Sequence, residues 1–147
     1  MLENETNDMS STLKVKAIKI DVASQEIYEV EVAQQGLQGV YDAIGNGCEL
    51  VEVAMNFAPP RNQRFGDSMW VDEEALFKGD NIVGGFVVGN TPHTFCNNAL
   101  ILGNVDNGDG QEKTNYTLPI ELLKQHIKFV GKEFFENYEP TIEVTSW

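Results

Sequence analysis

Period-two patterning, repeated in short runs broken by turn residues, constrains this chain more than any other feature. In residues 25 to 32, Tyr28, Val30 and Val32 fall on one side and Ile27, Glu29 and Glu31 on the other. Such alternation marks a half-buried β-strand, because successive side chains of a strand point to opposite faces. Just before it, Lys14-Val15-Lys16-Ala17-Ile18-Lys19-Ile20 is rich in β-branched residues and interleaved with lysines, with a break at Ala23-Ser24. The two runs read as an antiparallel hairpin in which first-strand lysines face second-strand glutamates.

The same reading extends along the chain. Leu37, Val40, Tyr41 and Ile44 recur at offsets of three and four, which predicts a short helix over residues 34 to 44, stopped by Gly45-Asn46-Gly47. Val51, Val53, Met55 and Phe57 alternate with polar residues and predict a strand. Pro59-Pro60 to Gly66 is a loop that carries both arginines, Arg61 and Arg64. Met69-Trp70-Val71 reads as a short strand, and residues 72 to 77 as one helical turn or tight corner. Residues 81 to 89 form an apolar strand in which Gly84 and Gly85 mark a bulge or a close backbone approach. Residues 99 to 103 form a further strand, and 104 to 115 a polar loop. A long helix is expected over 118 to 138. Thr117 caps it, Pro119 sits in its first turn, and Ile120, Leu123, Ile127, Val130 and Phe134 form its buried stripe. Pro140 ends it, and residues 141 to 147 add an edge strand. Residues 1 to 12 read as a disordered acidic tail, leaving 13 to 147 as a single domain. The fold class expected is α+β: a mainly antiparallel sheet of five to seven short strands, with one short and one long C-terminal helix packed on it.

Charge narrows the partners. The chain has 23 acidic and 10 basic residues and a net charge of −13 over 147 residues. A surface this negative repels nucleic acid and anionic membrane, and leaves basic protein surfaces and cations as its natural partners. No apolar run reaches the roughly 18 to 20 residues needed to span a bilayer. The N-terminal residues lack the basic and apolar regions of a secretory signal, so a cytoplasmic location is expected. Cys48 and Cys96 have neither disulfide-framework nor zinc spacing and read as buried free thiols.

Chemistry-bearing motifs are sparse. Asp106-Asn107-Gly108-Asp109-Gly110 with Glu112 offers no register that matches a calcium loop, and reads as a solvated turn. Asp72-Glu73-Glu74 with Asp80 reads as a hydrophilic corner rather than an acid–base pair. His93, Cys96, Cys48 and His126 would all have to converge to hold zinc. Phosphate-binding glycine loops and a nucleophile elbow are absent from the sequence. The expectation is no catalytic residue, no metal and no cofactor.

Three segments carry a family resemblance. They are Cys48-Glu49-Leu50-Val51-Glu52-Val53, then Met69-Trp70-Val71-Asp72-Glu73-Glu74-Ala75-Leu76-Phe77-Lys78, then Asn97-Asn98-Ala99-Leu100-Ile101-Leu102-Gly103. In this order, over residues 14 to 130, the chain resembles the phage- and plasmid-encoded domain of unknown function 3846. In that family a V-D-E-x-G-x-L-K corner and a G-x-A-L-I-x-G strand recur. Ala75 and Asn98 stand where the family often has glycine. The resemblance implies a mobile-element origin, and supplies no catalytic residue.

These observations favour a non-enzymatic accessory protein that docks an acidic surface onto a basic host or phage protein, in an anti-defence or DNA-mimic role. Its expected contacts are Glu29, Glu31, Glu52, Asp72, Glu73 and Glu74. The alternative is a small-ligand or nucleotide binder, with Arg61 or Arg64 at the mouth of a pocket lined by Phe65, Trp70 and Phe86. A third reading is a homo-oligomer joined through the edge strand at 141 to 147, with Trp147 as an anchor.

Overall fold

The computed structural model of the chain describes residues 13–57, 66–106 and 111–136. The tail at 1 to 12 and the strand expected at 141 to 147 lie outside them. Strands β1 (Lys14–Asp21) and β2 (Glu26–Ala33) form the expected antiparallel hairpin. Its register sets Lys16 opposite Glu31, while Lys19 meets Tyr28 and Lys14 meets Ala33. Lysine therefore faces glutamate at one rung only. Helix α1 (Gln38–Ile44) follows. It is shorter than the periodicity predicts and ends at Gly45-Asn46-Gly47, all three with positive φ.

Strands β3 (Val51–Asn56) and β4 (Asp67–Asp72) come next, then β5 (Gly84–Val88), β6 (Thr94–Cys96), β7 (Ala99–Asp106) and β8 (Gln111–Thr114). Helix α2 (Ile120–His126) leads directly into β9 (Ile127–Gly131). All pairings among the described residues are antiparallel. They build two sheets. The larger has the order β2-β1-β7-β4-β3, with β8 continuing beside β7, and the smaller has the order β6-β5-β9. The α+β class stands, but in place of the single sheet of five to seven strands expected, the described residues form nine strands in two sheets.

The large sheet is covered on both faces. Val15, Ala17, Val32, Leu100 and Leu102 face α1, and pack with Val40, Ile44 and Cys48. Ile18, Ile20, Met69, Val71, Ala99 and Ile101 face the other way, and pack with Phe86 and Val88 of the small sheet and Leu123 of α2. Strand β7 is the centre of the molecule: Ala99, Leu100, Ile101 and Leu102 are each 0% exposed. Double coverage explains why this strand reads as an unbroken apolar run rather than an alternation. Burying each of its Leu and Ile side chains contributes about 1.5–3 kcal/mol.

Two further expectations, both beyond residue 103, are corrected. The helix expected over 118 to 138 is seven residues long, from Ile120 to His126. Residues 127 to 131 pair with β5 instead, Phe129 opposite Phe86 and Ile127 opposite Val88. Ile127, Phe129 and Val130 are poor helix formers and good strand formers, and β5 needs a second neighbour. A 3₁₀ turn at Lys132–Phe135 completes the region. The polar loop expected at 104 to 115 is largely a hairpin, since β7 runs on to Asp106 and pairs with β8.

Candidate functional site

The glutamates singled out by sequence are exposed, but on two separate parts of the large sheet. Glu29 and Glu31 lie on β2, at one edge. Glu52 lies on β3, at the opposite edge. Three strands intervene, so the two groups stand about 19 Å apart at the usual strand spacing. Glu73 and Glu74 occupy the turn after β4, beside Glu52: the Glu73 amide donates to the Leu50 carbonyl at 2.9 Å, and Glu52 is opposite Val71.

Asp72 leaves this set. It is 4% exposed, and Lys78 Nζ lies 2.7 Å from its Oδ2. Its Oδ1 accepts from the Glu74 amide at 2.9 Å. The same ammonium donates to the Asn46 and Gly47 carbonyls at 3.1 and 3.0 Å. Asp72 therefore ties the end of β4 to the turn after α1 and has no access to a partner. A carboxylate tolerates this burial because a cation and an amide replace its water.

Two differently placed acids set local electrostatics. The Tyr28 hydroxyl donates to Asp21 Oδ2 at 2.7 Å. That bond pushes the phenol up to about 12. Burial pushes the Asp21 carboxyl up, but the Tyr28 bond, the Ser24 and Ala23 amides and nearby Lys19 together hold it below its ordinary value. Across β2, the Tyr116 hydroxyl donates to Glu29 Oε1 at 2.7 Å, and this bond raises the Tyr116 phenol.

Of the residues of the alternative pocket, only Trp70 and Phe86 are among the described ones. Arg61, Arg64 and Phe65 lie outside the described residues. Trp70 packs with the α1-facing cluster, whereas Phe86 is in the core on the other face. The sheet itself separates them, which rules out a pocket lined by both. The indole Nε1 of Trp70 is buried with no hydrogen-bond partner among the described residues.

Cysteine and histidine chemistry is likewise dispersed. Cys48 and Cys96 are free and buried in different clusters. Burial first, with the Asp72 charge adding to it, pushes their thiols up to about 11 and about 12. His93 is exposed beside Phe95, and His126 is exposed with Nδ1 2.9 Å from the Leu122 carbonyl oxygen. Among the described residues no three His, Cys, Asp or Glu side chains gather to hold a metal. Nor is any described helix long and apolar enough to cross a membrane.

Sequence reasoning missed one feature of this surface. A cleft of about 470 Å³ lies where the start of β2 meets α2 and β9. Gln25, Glu26, Ile27 and Tyr28 form one wall, and Lys124, Ile127 and Phe129 the other. Its far wall depends on β9 being a strand, which the helical spacing of Ile127 and Val130 concealed. No family model matches the chain, and neither a curated protein nor a solved structure does.

Proposed function

We propose that this chain is a non-enzymatic accessory protein of a phage or plasmid, and that it acts by binding a basic host or phage protein through acidic surface. The mobile-element origin rests on the family resemblance of the β3, β4 and β7 segments. One observation carries the binding reading. Glu31, Glu52, Glu73 and Glu74 are exposed, and none of them has an ion-pair partner among the described residues. With a net charge of −13, these carboxylates give up little when a cationic surface approaches. A protein so charged can occupy a cleft that evolved to hold phosphates, which is the sense in which a DNA-mimic or anti-defence role is meant.

Affinity capture from host lysate at low and at moderate ionic strength tests the reading. The expected result is a basic protein retained at low salt and released as screening increases. A variant with Glu52, Glu73 and Glu74 changed to glutamine, together with Glu29 and Glu31, should lose it. Retention of no basic protein even at low salt overturns the reading.

A further inference from the structure

Strand β2 is the last strand on its side of the large sheet, paired only to β1 among the described residues. The Gln34 amide donates to the Leu13 carbonyl at 3.0 Å, at the rung that follows Lys14 and Ala33. In an antiparallel ladder, hydrogen-bonded rungs alternate. The even-numbered residues of β2 therefore bond to β1. The amides and carbonyls of Ile27, Glu29 and Glu31 point away from it, to the open edge. Helix α1 closes this edge only at its end, where Gly39 packs directly against the Ala33 amide nitrogen. Among the described residues no strand covers the stretch 27 to 31 on that edge.

We infer that this edge receives an extended basic peptide segment of the partner as an additional antiparallel strand. The inference rests on the binding reading above and assigns its contact mode. Side chains of an added strand lie beside those of the rungs they face. Running antiparallel, the segment places one residue opposite Glu31, the second after it opposite Glu29, and the fourth after it opposite Ile27. The first two positions require Lys or Arg. The third falls beside the 470 Å³ cleft, where Ile127 and Phe129 receive an apolar side chain. The recognised pattern is basic-x-basic-x-apolar, read from N to C. Main-chain bonds supply affinity and alternate side chains supply the choice of partner.

Charge selects this occupant over a second copy of the chain. Antiparallel registers that centre two β2 strands on Glu29, Val30 or Glu31 set glutamate opposite glutamate, which is destabilising. The same carboxylates therefore oppose self-pairing centred on this stretch and attract a cationic strand.

The test uses the full chain and synthetic seven-residue peptides of alternating Lys and Thr ending in Phe, measured by titration calorimetry. Binding is expected for the Lys-Thr-Lys-Thr-Phe order and weaker binding for the reversed order. Glu29→Gln and Glu31→Gln should each weaken it about two- to fivefold. Methylation of the peptide amides that face β2 should weaken it by more than about tenfold, since it deletes main-chain donors without touching the protein. Equal binding by methylated and unmethylated peptides overturns strand addition. So does stronger binding of the reversed order, or a peptide that binds only by displacing a second copy of the chain. A basic partner that is captured through Glu52, Glu73 and Glu74, and is unaffected by changes at Glu29 and Glu31, would leave the binding reading standing and remove this one.

Discussion

Asp67, at the start of β4, holds Thr117 from fifty residues away in sequence. Its carboxylate is 2% exposed and accepts from the Thr117 amide at 2.9 Å, the Thr117 hydroxyl at 3.0 Å and the Leu118 amide at 2.9 Å. One residue earlier, the Tyr116 amide donates to the Lys16 carbonyl at 2.9 Å, and Asn115 Oδ1 accepts from the Lys16 amide at 2.8 Å. Residues 115 to 118 are thus strapped from β1 to β4 across the large sheet, and this strap delivers α2 to its place. Replacing Asp67 with alanine leaves three donors, the Thr117 amide and hydroxyl and the Leu118 amide, without their charged acceptor. The expected cost is about 3 kcal/mol, whereas Thr117→Val, which removes one hydroxyl, should cost about 1 kcal/mol. Urea unfolding of the two variants measures both, and near-equal losses would contradict this account.

The hairpin, the short helix and the apolar strand β7 were legible because their patterns answer to local rules. The strap was not, because its partners are fifty residues apart and Asp67 looks like any polar loop residue. The C-terminal region misled for a different reason. Ile120, Leu123, Ile127 and Val130 satisfy a helical stripe, yet Ile127 and Val130 are equally good strand residues, and the demand of β5 for a neighbour decides between them. The acidic corner was legible in part. Glu73 and Glu74 face solvent as their composition suggests, while Lys78 six positions on draws Asp72 inward. Asn97 and Asn98 carried no visible signal, though both organise the fold. Asn97 adopts a φ of 65° and accepts the Val83 amide at 2.7 Å. Asn98 links the Val22 amide, at 2.8 Å, to the Ile44 carbonyl, at 2.9 Å.

Gly103 lies directly under the strap. A Cβ there would sit 2.6 Å from Thr114 Oγ1 and 2.7 Å from the Asn115 carbonyl oxygen. The second of these is backbone and has no room to yield. Gly103→Ala should therefore destabilise the fold by about 1–3 kcal/mol. Faster amide hydrogen exchange is expected at Tyr116, Thr117 and Leu118, whose protection depends on the strap. An unchanged exchange pattern would show that the strap is not seated on this glycine.

Both thiols should be inert in the folded protein. Cys48 and Cys96 are buried, with thiols pushed up to about 11 and about 12, so the nucleophilic thiolate is scarce at neutral pH. Neither should react with a water-soluble alkylating reagent until the chain is unfolded, when both should react together. Selective modification of one thiol in the native protein, read by mass spectrometry, would contradict the burial of that site.

The Tyr28–Asp21 bond makes opposite predictions at the two ends of the pH scale. The Tyr28 phenol is raised from 10.0 to about 12 in the folded state, so the folded chain holds this proton more tightly than the unfolded one. Its contribution to stability is complete below pH 10.0 and is lost as pH rises toward about 12. The Asp21 carboxyl is shifted the other way, below its ordinary 3.8, so its contribution is present above that pH and lost as pH falls through the lowered value. Tyr28→Phe removes the shared hydrogen bond. The Asp21 carboxyl should then titrate higher, followed by its side-chain carbonyl resonance in NMR. The alkaline loss of stability between 10.0 and about 12 should shrink in the same variant. An Asp21 titration that is unchanged in Tyr28→Phe would show that the turn amides and Lys19, rather than the phenol, hold the carboxyl down.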